Sequence, residues 1–395
     1  VEVLAHYLPQ FHPIPENDGW WEPGFTEWTN VARARPLFRG HVQPHLPADL
    51  GFYDLRVPEV REAQADMARG HGLTGFCYWH YWFAGRRLLE RPFDEVLASG
   101  APDFPFCVAW ANQSWSGIWH GAPNRILVEQ TYPGPEDDAR HFASLCPAFE
   151  DPRYIRLGGR PVLFIYKPDG LPDPSRFVER WQSMAADAGL GGLYLVAGLG
   201  ESEYPTHVED GFDAAVWYEF PFQHTFGTWF RERLMNRRLA KGPKRYPYRR
   251  DLPEPPRDLG GTVIPCVYPN WDNTPRAGRR GVLAVDASPE RFAAQMRRAL
   301  ELAASAPADE QMVMVKSWNE WAEGNYLEPD QEVGYARLEA LAAEVERARR
   351  QPGAPVAGAA DSAWTSGTTG PASAGAPGQS DTPTGVSSRS ATRPG

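Results

Sequence analysis

Cysteine is scarce in this chain. The four residues, Cys77, Cys107, Cys146 and Cys266, lie far apart and form no Cys-x-x-Cys pair. Three of them sit inside apolar, strand-like runs, so buried free thiols are expected. No stretch of 18 apolar residues occurs, so no membrane span is expected. No charged n-region and apolar h-region precede Val1-Glu2-Val3-Leu4-Ala5, which makes a cytoplasmic location the expectation for the sequence as it stands. His41 and His45 are four apart with Pro44 between them, and no His-Glu-x-x-His occurs. No metal site is therefore expected. There is no Gly-x-Ser-x-Gly elbow. Ala197-Gly198-Leu199-Gly200 runs into Glu-Ser-Glu-Tyr, which leaves the dinucleotide fingerprint incomplete, and no cofactor is expected. Positive charge is also in deficit. Lys and Arg number 40 against 50 Asp and Glu, a net charge of −10, and this argues against nucleic acid as a partner. The stretch from Arg231 to Arg250 is a basic exception, read either as a solvated helix face and loop or as a subsite for an anionic sugar or a phosphate.

From about Gln351 the chain is dominated by Gly, Ala, Pro, Ser and Thr. Such a segment cannot bury enough apolar surface to offset its ordering entropy, so residues 351–395 are expected to form a disordered tail or linker. Residues 1–350 hold eight short apolar runs: Val1–Tyr7, Gly75–Trp79, Pro105–Trp110, Pro161–Tyr166, Leu193–Ala197, Ala214–Tyr218, Val263–Tyr268 and Met312–Trp318. Runs of this kind fit strands buried on both faces, as in a parallel sheet. Helical patterns fall between them at Pro58–Arg69, Ser175–Ala188, Pro289–Ala304 (with Ser288 as N-cap) and Gln331–Arg350. The alternation predicts an α/β fold, a (β/α)8 barrel with long βα loops. A doubly wound open sheet is the alternative.

The polar and aromatic residues gather at one end of these runs. They are His6 and Tyr7; Tyr78, Trp79 and His80; Trp110, Asn112 and Gln113; Tyr166; Tyr218; Tyr268, Trp271 and Asp272; and Trp318 and Asn319. In a barrel the strand C-termini and their loops build the active site, so these residues are candidates for a ligand pocket. The loop from about Pro9 to Pro47 is long and holds Trp20, Trp21 and Trp28, and long loops in compact domains are usually functional or disordered. It is expected to fold over the barrel mouth. In Ser317-Trp318-Asn319-Glu320-Trp321-Ala322-Glu323-Gly324 two carboxylates lie three residues apart after an apolar run. Turn or helical backbone puts such a pair on one face, a disposition that suits acid/base chemistry on a sugar. The competing explanation is a helix N-terminus collecting acidic residues for dipole reasons.

The opening His6-Tyr7-Leu8-Pro9-Gln10-Phe11-His12-Pro13, then Asn17-Asp18-x-Trp20-Trp21 and Gly24-Phe25-Thr26-Glu27-Trp28-Thr29-Asn30-Val31, resembles the WbsX-type family, also described as glycoside hydrolase family 99-like. Gln43-Pro44-His45, Asp49 to Leu55, Trp110-Ala111-Asn112, Trp271-Asp272-Asn273-Thr274-Pro275-Arg276 and Trp318-Asn319-Glu320-Trp321-x-Glu323-Gly324 extend the resemblance to about residue 345. It implies kinship with the retaining endo-α-mannosidases of glycoside hydrolase family 99, which are (β/α)8 barrels. On that resemblance Glu320 and Glu323 are the catalytic pair, with Glu27, Trp28 and Arg276 joining the substrate-binding candidates. Glu320 would draw the proton from the sugar 2-hydroxyl, whose oxygen attacks the anomeric carbon to give a 1,2-anhydro sugar. Glu323 would protonate the leaving oxygen and then activate water or an acceptor. Many relatives read Trp-Ala-Asn-Glu where this chain has Trp110-Ala111-Asn112-Gln113, and Gln keeps the hydrogen-bonding shape without the charge.

Three functions follow as expectations. The first is a retaining glycoside hydrolase or transglycosidase on α-linked, manno-configured glycans. The second is a glycosyltransferase in surface-polysaccharide assembly. The third is a glycan-binding protein with impaired chemistry. The expected partner is a glycan or polysaccharide; oligomeric state is not legible.

Overall fold

The computed structural model describes residues 1–117, 122–200, 207–236, 241–255 and 259–350. Eight strands form its centre: β1 (Glu2–Tyr7), β2 (Gly75–Phe83), β3 (Phe106–Trp110), β4 (Arg160–Ile165), β5 (Tyr194–Leu199), β6 (Ala214–Trp217), β7 (Thr262–Val267) and β8 (Met312–Val315). Each pairs in parallel with its neighbour in sequence. The ring closes where β1 pairs with β8, Glu2 opposite Met312 and Ala5 opposite Val315. The sheet is a closed parallel barrel with helices between strands, as the eight apolar runs predict. Closure leaves no sheet edge, and burial on both faces is why these strands read as continuous apolar runs. The open-sheet alternative is excluded by the β1–β8 pairing.

Local signals place the outer helices. Pro58 opens the helix Pro58–Gly70. Asp173 caps Pro174–Asp187 by accepting from the Arg176 amide, and Ser288 caps Pro289–Ala303 by accepting from the Arg291 amide. One boundary differs from expectation. The last helix is Ala336–Arg349, not Gln331–Arg350. The Asp330 carboxylate accepts from the amides of Glu332 and Val333 at 2.9 and 2.7 Å. That local turn competes with helix and delays its start.

The loop after β1 carries two short helices, Pro15–Trp20 and Glu27–Arg33. Backbone bonds pin it in place: Glu27 N–H to Gln10 O at 2.9 Å and Leu55 N–H to Phe11 O at 3.1 Å. The basic stretch from Arg231 divides between the helix Phe226–Asn236 and a strand, Lys244–Pro247, paired with Val282–Val285. Residues 237–240 within it lie outside the described residues. Cys77, Cys107 and Cys266 are buried and Cys146 half-buried, all as free thiols. Among the described residues no helix is long and apolar enough to cross a membrane. The chain divides into Val1–Ala357 and Gly358–Gly395; the tail expected from residue 351 lies outside the described residues.

The last described helix ends at Arg349, which makes the tail testable. A chain stopped after Arg350 is expected to melt within about 2 °C of the full chain, less than about 1 kcal/mol in a protein of this size. A drop of many degrees in a calorimetric scan would show that the barrel depends on residues after 350.

Candidate active site

A cavity of about 400 Å³ opens at the C-terminal ends of the strands. Its walls come from the loops or ends of seven strands: Leu8 and Gln10 after β1, Trp79 and Tyr81 on β2, Ala111 and Gln113 to Ser116 after β3, Tyr166 after β4, Phe220 after β6, Trp271 and Arg276 after β7, and Lys316, Glu320 and Glu323 after β8. The long first loop adds Asn17, Trp20, Trp21, Glu27 and Asn30, so it does form one wall of the mouth.

The two glutamates sit at the ends of one tight turn. Asn319–Glu320 pairs antiparallel with Asn325–Tyr326, and a single 3-10 turn, Trp321–Glu323, joins them. No helix starts here, so the helix-dipole explanation for this acidic pair does not apply. Gly324 closes the turn at φ +64°, and a Cβ there would lie 2.7 Å from the Asp272 amide nitrogen. That amide donates to Glu323 O at 2.7 Å, so only glycine admits both the turn and the contact. Below the turn, Trp321 stacks on Tyr326 at 3.9 Å and donates from Nε1 to Glu328 at 2.6 Å. The Asn319 side chain pairs with Leu8 as a strand would, accepting from its N–H at 2.7 Å and donating to its O at 3.1 Å. The turn is thereby bolted to the first strand's exit.

Charge is concentrated here. Arg276 bridges two carboxylates, at 2.5 Å from Nη2 to Glu27 and 2.5 Å from Nη1 to Glu323. Trp79 Nε1 donates to Glu320 at 2.8 Å, and its other side stacks on His6 at 4.2 Å and 6°. Glu320 and Glu323 are close enough to share a hydrogen bond. Three buried carboxylates (Glu27, Glu320, Glu323) face two cations (Arg276, Lys316). Three negative charges against two positive leave one in excess, so the set is neutral when one carboxyl is protonated. Burial works to raise Glu320, but Lys316, the bond with Glu323, Arg276 and Trp79 outweigh it and hold it low. Burial, opposed by Arg276 and reinforced by the Glu320 charge, pushes Glu323 up. The pair therefore titrates in two separated steps, at about 2 and about 8. Like charges this close cannot both ionise cheaply. At neutral pH the site holds one carboxylate and one carboxylic acid, a base and an acid side by side.

Of the sequence-predicted residues, Glu27, Trp79, Gln113, Tyr166, Trp271, Arg276, Glu320 and Glu323 line the cavity. Others lie behind it. His6 is fully buried, bonded to Tyr218 Oη at 2.8 Å. Burial, with Lys316 nearby, pushes its pKa down to about 3, so it is a neutral prop for Trp79. Tyr7, Tyr78, His80 and Trp110 point the other way, into the helix layer. Tyr7 donates to Gln64 at 2.6 Å, Tyr78 packs on Phe93, His80 meets His141 at 2.9 Å and Trp110 packs on Phe177. Strand side chains alternate between faces, so a strand end rich in aromatics sends every second one outward. Trp28 donates to Tyr53 O at 2.8 Å and packs on Trp321. Asn112 clamps the Lys167 backbone at 2.7 Å in both directions. Tyr268 packs on Trp271, and Trp318 on Phe76. Asp272 is turned from the cavity. It accepts from the Thr274 amide at 2.9 Å, an Asx turn, and meets His41 and Gln43 at 2.8 Å each. The described residues of the basic stretch do not line the cavity.

Sequence reading missed Lys316 and Phe220 among the lining residues. Lys316 was legible in principle, being a charge directly after Val315 at the end of an apolar strand. Phe220 sits beyond its strand and gave no signal.

The Glycosyltransferase WbsX family model matches residues 3–341. The chain belongs to this family. Two relatives, each described as uncharacterized protein WxcX, come from two strains of Xanthomonas campestris pv. campestris. Both are 42% identical over 359 residues, which is 88% of this chain and 50% of theirs. The chain thus spans about half the length of these curated relatives. Among solved structures, a glycoside hydrolase-like protein superposes with a TM-score of 0.55 at 14% identity, covering 87% of this chain and 93% of that one. The GH99 endo-alpha-mannosidase from Bacteroides thetaiotaomicron superposes with a TM-score of 0.51 at 16% identity, covering 88% and 97%. At such identity the superpositions speak for the fold. Family and fold together make the chain a member of a carbohydrate-active enzyme family.

The Glu27–Arg276–Glu323 bridge carries a test of the buried charges. Removing one partner of a buried ionic set leaves the others uncompensated. Arg276→Met is expected to lower unfolding free energy by about 3–5 kcal/mol in urea titration at pH 7. A loss under about 1 kcal/mol would show that the two carboxylates are not balanced by this guanidinium.

Proposed function

We propose that the chain is a retaining glycoside hydrolase or transglycosidase acting on α-linked, manno-configured glycans through a 1,2-anhydro sugar. The observation that carries this reading is the Glu320–Glu323 pair, adjacent in one cavity and split in titration. Inverting enzymes keep their carboxyls about 6.5–9.5 Å apart to hold a water between them. Two carboxyls within hydrogen-bond reach leave no such room, which favours retention. The α-manno assignment leans on the name of the family 99 endo-alpha-mannosidase whose barrel this one resembles.

The steps follow from the protonation states. Glu320, ionised, takes the proton of the sugar 2-hydroxyl. The freed oxygen pair forms the O2–C1 bond as the C1–O bond to the leaving group breaks, and Glu323 gives that oxygen its proton. Glu323, now ionised, takes a proton from water or an acceptor hydroxyl, whose oxygen attacks C1. The C1–O2 bond breaks, and O2 recovers its proton from Glu320. Both residues return to their starting states. Trp79 fixes the Glu320 carboxylate, and Arg276 orients Glu323 while Glu27 holds Arg276. The description of the family as glycosyltransferases fits the same route with a sugar hydroxyl in place of water.

Gln113 lies in the cavity wall. It sits with Ser114 and Trp115 on the β3 loop and offers the cavity an uncharged amide, which bears on the choice of substrate.

Product analysis on a panel of α-linked glycans and sugar nucleotides tests the reading. Glu320→Gln and Glu323→Gln are each expected to lower kcat by about 10²-fold or more while sugar binding persists. A 2-deoxy substrate is expected to bind and not react; cleavage at a near-normal rate would replace the 1,2-anhydro route by direct displacement.

The pH profile is a separate check. Below the lower step of the dyad both carboxyls are protonated and the base is lost. Above the upper step, about 8, both are ionised and the acid is lost. The ratio kcat/KM is thus expected to stay high through neutral pH and fall on the alkaline side, with a broad acid shoulder. A profile peaking near pH 4 and dead at pH 7 would show that the dyad does not keep its single proton at neutral pH.

A further inference from the structure

Lys316 is a charged residue of the cavity lining that takes no part in the steps above. It follows β8 directly, with its backbone N–H on Val267 O at 2.9 Å, and is only 7% exposed. Its Nζ lies 5.6 Å from the ring centre of Trp79, 5.8 Å from Tyr166 and 5.9 Å from each of Tyr218 and Trp271. The ammonium thus stands in a well of four aromatic rings. Among the described residues it makes no hydrogen bond and no ion pair. Buried ammonium groups are held by partners as a rule. Three unpaired N–H donors facing a cavity point to an oxygen that arrives with the substrate.

Two properties select that oxygen. Arg276, the other cation of the lining, is already taken by Glu27 and Glu323, so Lys316 alone is free to meet a ligand. Its charge is also secured. Burial works against it, but Glu320, Tyr166 and Glu323 outweigh burial and raise its pKa above that of ordinary lysine. A cation beside Glu320 has a cost, because it weakens Glu320 as a base. It helps the reaction only if it stabilises the product of deprotonation more than it stabilises the carboxylate. An alkoxide-like oxygen holds its charge on one atom, whereas a carboxylate spreads it over two, so the ammonium favours the oxygen. A sugar carboxylate is a poorer fit, since it would face Glu320 at close range.

On the glycosidase reading above, we propose that Lys316 is a further catalytic residue. Its ammonium donates to the 2-oxygen of a neutral sugar as Glu320 takes that oxygen's proton, and it releases the oxygen when the 1,2-anhydro ring opens. Lys316 keeps its own protons throughout, so the balance of the reaction is unchanged. The ring faces of the well hold the ammonium in place between turnovers.

The test uses the full chain with two probes: an α-mannobiosyl fluoride for turnover and a manno-configured cyclohexane-1,2-aziridine, which mimics the 1,2-anhydro sugar, for binding. Lys316→Met keeps the length and drops the charge; Lys316→Arg keeps the charge. Lys316→Met is expected to lower kcat by about 10²-fold, with KM changed much less, and to weaken aziridine binding at least about tenfold. Its acid limb is expected to move up by a pH unit or more, because Glu320 loses its neighbouring cation. Lys316→Arg should recover part of kcat and keep the acid limb low. A purely structural lysine would lower the melting temperature without moving that limb. If Lys316→Met does not fold, Lys316→Arg and the binding loss of a 2-deoxy analogue on the native chain decide: an analogue bound as tightly as its parent overturns the contact. Native turnover with Lys316→Met within about threefold, limb unmoved, overturns the lysine alone. Native chain with neither turnover nor aziridine binding overturns the glycosidase reading and this proposal with it.

Discussion

The site is organised by an uneven count of buried charges. Glu27, Glu320 and Glu323 share one pocket, largely buried, with Arg276 and Lys316. Desolvation penalises every one of these charges, so the set settles nearest neutrality by keeping one proton. Where that proton rests is decided by distance and hydrogen bonding. Glu320 has Lys316 nearby and an indole N–H on its oxygen. Glu323 has the Glu320 charge beside it and only a share of Arg276, which Glu27 also holds. The proton therefore sits on Glu323. Glu27 reaches into this balance from the first loop without standing in the turn of Glu320 and Glu323, which couples the placement of that loop to the acidity of Glu323.

A charge balance of this kind is useful only if its members stay in register. The turn that carries Glu320 and Glu323 is held from three sides. Asn319 splices it to Leu8, Gly324 lets the Asp272 amide close on Glu323 O, and Glu328 collects Trp321, Gln64 and Tyr53 from below. Glu328 is itself pushed up to about 7 by burial, against the three donors. These bonds link β8 to the first loop, to the loop after β7 and to the helix Pro58–Gly70. Asp272, a cavity candidate by sequence, belongs to this supporting set: His41 and Gln43 hold it from the first loop while its amide holds Glu323.

The barrel was legible because parallel strands buried on both faces give continuous apolar runs, and all eight runs overlap the eight strands. The carboxylate pair was legible because three-residue spacing after a strand leaves few geometries. The aromatic ring was half legible. Its residues were correctly found at one end of the strands, but Tyr7, Tyr78, His80 and Trp110 face helices. The register needed to separate them from Trp79 is a property of the closed sheet: Trp79 opposite Ala109, and His80 opposite Trp110. An apolar run with no polar alternation carries no mark of which residue faces inward. The last helix was misread for a local reason, since Asp330 diverts two amides that periodicity alone would assign to a helix.

Lys316 shows why the charged residues of such a pocket have to be read together. Taken alone it is a lysine after a strand, and the period of the strand allows it either face. Its position becomes informative only once the rings of Trp79, Tyr166, Tyr218 and Trp271 are seen around it. They come from β2 and from the loops after β4, β6 and β7, and no local pattern in the sequence brings them together. A neutral residue there would let Glu320 rise toward the ordinary carboxylate range and compete with Glu323 for the single proton. The same ammonium that secures the ionised base thus also fixes which of two neighbouring carboxyls is the acid. Separation of roles in this dyad is therefore a property of the whole barrel mouth, written partly in strands far from the turn that carries the glutamates.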